Sequence, residues 1–599
     1  MVPISASCTP VRAPNPAPAA KAAGPGTPAP GARPPAEGFS LLPPDSLKAF
    51  ILVKPRPTDA TLTIVPVTDR AFKSAVQVET TRLPAQSWDI QIRLPIDRPV
   101  AKGDAIEAAF SMRSVKSASG EADTSLIFEQ VGGAFQKSVE YPASAGANWT
   151  LFRVPFRAAA DYTAGAAQLN FRFGFSPQTV EIGGISLVDF GKSLTNPLPA
   201  PVLTYPGIAP NAPWRMAAAA RIDKYRKGEL TVLVHDFRGR PVPGAQVQVH
   251  MLRHAFGFGS AVDENALLGS TPDDKKYQAT VLKLFNKAVL ENGLKWPGWE
   301  WRPGRALRAV KWLRDHHIEV RGHNLVWPSW RYLPLDVRTL RNDPAALRRR
   351  IDEHIIQEVT ALRGQVSEWD VLNEPYTSHA LMDILGKESM VEWFKLAHAA
   401  DPRPELFVND FSILSAGGRD TAHQDAYAGV IQYLQANGAP LGGIGLQSHF
   451  GDSLTGPDRL LQILDRFAKF GLPLEVTELD VNISDEKLQA QYLRDFMTLA
   501  FSYPAIKGIM IWGFWEGRDW IPRAALYRRD WTLKPNGQAW IDLVFHQWWT
   551  NATGATGPDG AYRVRGFLGD YEITVSIHGK KRVVRASLPQ KGASVVVKI

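Results

Sequence analysis

The sequence predicts a multidomain chain built around a (β/α)8 TIM barrel, preceded by an antiparallel β-sandwich and followed by a small β appendage at the C-terminus. Three observations carry this expectation. Strand and helix patterns alternate eight times between Arg253 and Trp549, the size and order of a closed parallel barrel. Phe39 to Gly191 reads instead as period-two segments parted by Gly, Pro and Asp turns, the pattern of a sandwich. After the last helix, "DGAYRVRGFLGDYEITVSIHGKKRVVRASLPQKGASVVVKI" returns to short strands that cannot build a good core alone.

In chain order, residues 1–38 are a Pro/Ala-rich disordered tether. Its first residues, "MVPISASC", lack the charged and apolar parts of an export signal. "SASC" nonetheless faintly resembles the end of a lipoprotein signal, with Cys8 as a lipidation site; an ordinary linker cysteine is the plainer reading. As the single cysteine, Cys8 excludes intramolecular disulfides and thiolate zinc cages. Residues 39–195 form the sandwich, with strands such as "SWDIQIRLPI" and "QLNFRFGF". Residues 196–215 are a Pro-rich linker and 216–252 a short β segment. Residues 253–549 are the barrel, and 550–599 the appendage, expected to pack on the barrel or pair with strands between Leu230 and Val249.

The eight barrel strands read as "HAFGFGSAV", "KAVLEN", "EVRGHNLVW", "SEWDVLNE", "ELFVND", "GIGLQSHF", "LEVTELD" and "IKGIMIWGFWE". Between them lie helices such as "RALRAVKWLRDHH" and "PDRLLQILDRFAKFG", whose apolar residues recur at three and four. An open doubly wound sheet would call for a Gly-rich phosphate loop after the first strand. None follows "FGFGSAV".

Composition narrows the function. Hydrophobic residues are 45% and charged residues 21% of the 599, and no apolar run approaches the roughly 20 residues of a membrane span. The net charge is +9, without a dense basic block interleaved with aromatics. Neither nucleic acid nor a membrane span is expected, and no cofactor or metal motif appears.

Reactive groups of such a barrel sit at the carboxyl ends of its strands. Those ends carry Glu291, Asn292 and Lys295, then His323, Asn324 and Trp327, then Asn373 and Glu374, Asn409 and Asp410, Gln447 and His449, Glu478 and Asp480, and Trp512, Trp515 and Glu516. Polar residues at seven successive strand ends are hard to explain by packing. Glu374 and Glu478 stand out, because two carboxyls flanking a glycosidic bond can divide proton donation from nucleophilic attack. The nearby charge of Glu478 is expected to raise the pKa of Glu374. Asp480 shares a strand face with Glu478, and His449 on the neighbouring strand can link to either. Trp296, Trp327, Trp512, Trp515 and Trp520 offer ring faces for pyranose C–H groups.

The segments "WDVLNEP", "EVTELD", "RGHNLVW", "ENGLKW", "GIGLQSHF", "LFVNDF" and "IMIWGFWE" resemble, in order, the signature segments of glycoside hydrolase family 10, the retaining endo-β-1,4-xylanases. "VPGAQVQVHMLRHAFGFGSAV", the "WGFWE" ending and "GAYRVRGFLGDYEITV" are closest to the plant-type branch and its bacterial relatives. The resemblance implies Glu374 as acid/base and Glu478 as nucleophile, with His449 and Asp480 holding the nucleophile and Asn373 contacting a sugar 2-hydroxyl. It implies Glu291, Asn292, Lys295, His323, Trp327, Gln447, Trp512 and Trp520 as lining for the xylose units on the glycone side. Pro328, Phe514, Trp515 and Glu516 depart from the family pattern. The sandwich resembles carbohydrate-binding modules more weakly, and Trp88 and Trp149 are open between binding and core roles. The implied protein is a secreted, periplasmic or cell-surface xylanase, monomeric and free of cofactors, acting on xylan and xylo-oligosaccharides. Its rivals are a non-catalytic xylan-binding barrel, which would be expected to have lost one of Glu374, Glu478, Asn373 or His449, and a retaining glycosidase for another β-glycan.

Overall fold

Eight parallel strands close into a barrel: Gly257–Val262, Lys287–Leu290, Glu319–Val326, Glu368–Asn373, Glu405–Asp410, Gly443–Leu446, Leu474–Val481 and Ile506–Ile511. The computed structural model describes residues 38–84, 86–117, 121–192 and 203–599; Cys8 and the tether lie outside them. Each strand pairs with the next, and the ring is closed by Gly257–Val262 lying against Ile506–Ile511. The strands are buried on both faces, so they read as near-continuous apolar runs rather than alternating ones. Helices follow with clear start signals. Proline opens Pro272–Leu284, Pro303–Asp315, Pro344–Ala361 and Pro457–Ala468, where its missing N–H costs nothing. Asp485 caps Glu486–Ser502 by accepting from the Lys487 and Leu488 N–H groups.

Three strands end two or more residues earlier than their sequence patterns. The second stops at Leu290 and the eighth at Ile511. The sixth breaks at Ser448, whose φ of 72° interrupts pairing before His449–Phe450 rejoins the seventh strand.

The interior of the barrel carries charge as well as hydrocarbon. Lys287 Nζ bonds Glu475 Oε1 at 2.5 Å and Glu368 Oε2 at 2.6 Å. Arg321 reaches Glu368, Glu475 and Asp370, and Asp370 Oδ2 lies 2.9 Å from His323 Nδ1. A buried network of this kind survives only when each charge is partnered.

Two antiparallel sheets form the sandwich. One orders Ala60–Pro66, Ser74–Thr80, Gln178–Asp189, Ala105–Ser117 and Thr150–Arg157; the other orders Ile51–Val53, Gln91–Ile96, Ala167–Arg172, Ala122–Gln130 and Lys137–Ala145. Phe110, Phe128, Phe152 and Phe171 fill the space between them.

The expected linker end and short β segment need correction, because Pro213–Arg226 is a helix. Trp214, Ala218 and Ile222 form its buried stripe, and its arginines fasten it to the helix Glu486–Ser502: Arg215 makes two bonds to Asp495, and Arg226 Nε bonds the Phe501 carbonyl at 2.6 Å. Beyond it, Lys227–His235 lies between Ala561–Phe567 and Ala593–Lys598, and Gln246–His254 lies between Asn551–Ala555 and Gly569–Ile577. The tail and the segment before the barrel therefore share one small β unit.

Sandwich and barrel touch directly. Arg419, on the loop after the fifth barrel strand, donates to Ser125 Oγ at 2.5 Å and covers the Phe175 ring at 4.0 Å. The Gly207 N–H bonds Glu121 Oε2 at 2.8 Å, and the Tyr205 hydroxyl bonds Asp495 at 2.8 Å.

Candidate active site

At the carboxyl end of the barrel the fourth strand finishes at Asn373, and Glu374 takes a φ of 54°. A non-glycine residue in this left-handed region stores strain of about 1–3 kcal/mol, and such strain clusters at functional positions. The turn aims the Glu374 carboxyl into the cleft, where Gln447 Nε2 donates to Oε1 at 3.1 Å and Trp327 Nε1 to Oε2 at 3.2 Å.

Glu478, on the seventh strand, has different company. Asn409 Nδ2 donates to its Oε1 at 2.8 Å, and His449 Nε2 lies 3.2 Å from Oε2. The other His449 nitrogen is 2.6 Å from Asp480 Oδ2, which also accepts from Trp520 Nε1 at 3.2 Å. Amides join the two carboxyls: Asn373 Oδ1 accepts from Asn409 at 3.1 Å and from Gln447 at 3.5 Å. Gly445 makes room for this bridge, since a Cβ there would stand 2.3 Å from Asn409 Oδ1. Asn373 is 1% exposed, yet its Nδ2 donor has no partner among the described residues.

These surroundings push the two carboxyls apart. Burial raises Glu374 to about 7; the Gln447 bond opposes this, and the charge of Glu478 adds to it. The expected order of causes is thereby corrected, with burial ahead of charge. Glu478 is also buried, but the His449 bond, the electrostatic pull of nearby His323 and the charge of His449 hold it below the usual carboxylate range. Burial would lower His449, yet Asp480 and Glu478 lift it to about 10, so it stays protonated between them.

The remaining sequence candidates divide. Burial lowers the Lys295 pKa against the pull of Glu478, Glu291 and Glu374, and its Nζ lies 5.6 Å over Trp327 and 5.9 Å over Trp512. Asn292 accepts from Lys295 at 3.3 Å, and Glu291 is raised by burial beside the same lysine. His323 meets Trp512 edge-on at 5.2 Å, and Trp520 remains 52% exposed.

Two tryptophans do not offer a ring face. Trp296 is stacked on His354 at 4.1 Å with Arg350 over the ring at 5.3 Å, so both neighbours come from the helix Pro344–Ala361. Trp515 is stacked on Trp531 at 4.5 Å and packed edge-on against Tyr277.

Sequence reasoning passed over Asn409 as merely a strand-end amide, and missed Tyr332, which backs Trp327 at 3.6 Å. Trp327, Tyr332, Arg331, Lys295 and Asn292 border a pocket of 240 Å³ beside the carboxyls. The short 3-10 turn at Trp330–Tyr332 has no periodic signal that could have flagged it.

On the sandwich, Glu129 Oε1 accepts from Asn170 at 2.6 Å and Gln168 at 3.2 Å, and Arg172 lies over Trp88. Gln91 Oε1, Asn170 Oδ1 and Arg172 Nε are buried without partners among the described residues. Trp88 is 50% exposed, whereas Trp149 is packed on Phe72.

Among the described residues no group of three His, Cys, Asp or Glu is close enough to hold a metal ion, and no helix is long and apolar enough to cross a membrane.

Residues 248–542 match the family model described as glycosyl hydrolase family 10. The chain is 34% identical over 388 residues to the anti-sigma-I factor RsgI6 of Acetivibrio thermocellus, covering 63% of this chain and 48% of that protein. It is 31% identical over 371 residues to endo-1,4-beta-xylanase 1 of Arabidopsis thaliana, covering 61% and 38%. The chain thus spans less than half the length of these two relatives. Native xylanase 10B from Thermotoga maritima aligns with 27% identity and a TM-score of 0.45, covering 49% of this chain and 96% of that one.

Proposed function

We propose, from the match of residues 248–542 to the glycosyl hydrolase family 10 model, that the chain is an endo-acting retaining xylanase that cleaves β-1,4-xylosidic bonds by double displacement. The observation that carries this reading is the pair of unlike carboxyls, one raised and supplied with neutral donors, the other lowered and held by a protonated imidazole.

In the first step Glu374 gives its proton to the departing sugar oxygen while Glu478 attacks the anomeric carbon. His449, kept charged by Asp480, steadies the Glu478 carboxylate until it is consumed in the glycosyl-enzyme bond. Glu374, now ionised, then takes a proton from the water that releases the sugar. The unpartnered Asn373 Nδ2 suits a sugar 2-hydroxyl, a bond that strengthens in an oxocarbenium-like transition state. Lys295, Asn292, His323 and Trp512 would hold xylose units on the glycone side, with Trp327 and Tyr332 beyond.

The sandwich is proposed as a carbohydrate-binding module on the strength of the half-exposed Trp88 ring beneath Arg172. Action on a polymeric substrate would suit a secreted, periplasmic or cell-surface protein.

Reducing-sugar release from xylan, mixed-linkage glucan and cellulose side by side tests the substrate class, with xylan expected to dominate. NMR of the first product is expected to give the β-anomer; an initial α-anomer would rule out double displacement.

A further inference from the structure

We propose that Tyr376, braced by His423 and Asp410, is a sugar platform on the leaving-group side of the cleft and sets how firmly the departing part of the substrate is held. This rests on the glycosidase reading, in which Glu374 protonates the leaving sugar. Tyr376 follows Glu374 by two residues, after the left-handed turn and Pro375. It therefore lies on the same turn as the proton donor, on the opposite strand ends from the Glu478 side.

One face of the ring is occupied, and the residue keeps substantial exposure. Tyr376 stacks on the His423 imidazole at 4.1 Å and 27°, while the residue as a whole is 39% exposed. His423, by contrast, is buried and meets Phe411 edge-on at 4.7 Å. An aromatic ring fixed on one side and wet on the other presents a rigid apolar surface of the kind that suits pyranose C–H faces. The same two-ring device backs the cleft elsewhere, where Tyr332 supports Trp327.

The brace is anchored to the fifth strand. His423 Nε2 lies 3.0 Å from Asp410 Oδ1, close enough for an ion pair though not aligned as a straight hydrogen bond, and His423 Nδ1 lies 3.7 Å from Asp420. Asp410 Oδ1 also accepts from the Phe411 N–H at 2.9 Å, and its Oδ2 has no partner among the described residues. Such a buried pair is weak as a source of stability and better suited to fixing orientation. His423 and Asp410 are positioning residues here; they act through the ring of Tyr376.

The test compares xylotetraose, which places sugars on both sides of the cleaved bond, with β-xylobiosyl fluoride, which has none on the leaving side. Tyr376→Ala is expected to lower the ratio of kcat/KM for the tetraose to that for the fluoride by about tenfold. Tyr376→Phe should keep the ratio, because the ring face remains, and His423→Gln should lower it with the loss appearing mainly in the tetraose KM. Equal losses on both substrates in Tyr376→Ala, or an unchanged ratio, would overturn the platform. Wild-type protein that cleaves neither substrate would instead remove the glycosidase reading on which the platform depends.

Discussion

The two sides of the cleft use the same side chain, and the more deeply buried of the two is the one that stays ionised. On the acid side, Glu374 meets an amide, an indole and the negative charge of Asp410. On the nucleophile side, Glu478 meets an amide and an imidazolium that Asp480 keeps charged. Burial alone would neutralise both. The difference teaches that a direct bond to a charged imidazole marks the carboxyl that attacks, while the carboxyl held by neutral donors beside negative neighbours keeps its proton.

The largest effect is expected from Glu478→Ala, which removes the attacking group and should lower xylan turnover by a factor on the order of 10⁴. Azide should restore part of the turnover of an aryl xyloside. Glu374→Ala is milder and selective: xylan hydrolysis should fall by roughly 10²–10⁴, while a dinitrophenyl glycoside still gives a pre-steady-state burst. Equal loss of glycosylation on both substrates would show that Glu374 is not the proton donor.

The pH profile sharpens the comparison further. Glu374 must be protonated in the free enzyme, so kcat/KM should decline as pH rises through about 7, and the acid limb should lie below the usual carboxylate range because Glu478 is lowered. Gln447→Leu removes a donor that favours the ionised acid and should move the alkaline limb upward. Asp410→Asn removes a nearby negative charge and should move it downward.

A third glutamate supplies the control outside the cleft. Glu358, on Pro344–Ala361, is fully buried; neither oxygen has a hydrogen-bond partner among the described residues, and His354 Nε2 is 3.3 Å away. Burial raises its pKa well above the ordinary value. Its contribution to stability is therefore complete below the unfolded value of about 4.3 and is lost as pH rises through the folded one. Glu358→Leu is expected to stabilise the fold by about 1–3 kcal/mol near neutral pH and by little near pH 4, read by denaturant melts at both.

Strand order and the strand-end carboxyls were legible because each depends on local pattern: apolar runs ending in Asn373–Glu374 or Glu478–Asp480 mark one end of a barrel whatever lies elsewhere. Which face of a ring is covered depends on distant partners. Trp296 looks like a platform until His354 and Arg350 arrive from a later helix, and Trp515 until Trp531 folds over it. The helix Pro213–Arg226 was hidden by its Pro-rich approach and by a stripe of only three buried residues. The cluster of Lys287, Arg321, Glu368 and Glu475 gave no signal, since each charge sits singly in an apolar strand and only the closed ring brings them together.

The small β unit has a consequence for the chain as it is made. The Ala245 N–H finds its acceptor, Thr556 Oγ1, 311 residues later, and the strand Lys227–His235 has neither neighbour until residues 561–598 exist. At ribosomal speeds the wait is roughly 15–60 s. Through that interval the nascent protein carries two unpaired strand edges ahead of a growing barrel, so this exposure to aggregation lasts until residues 561–598 have been made.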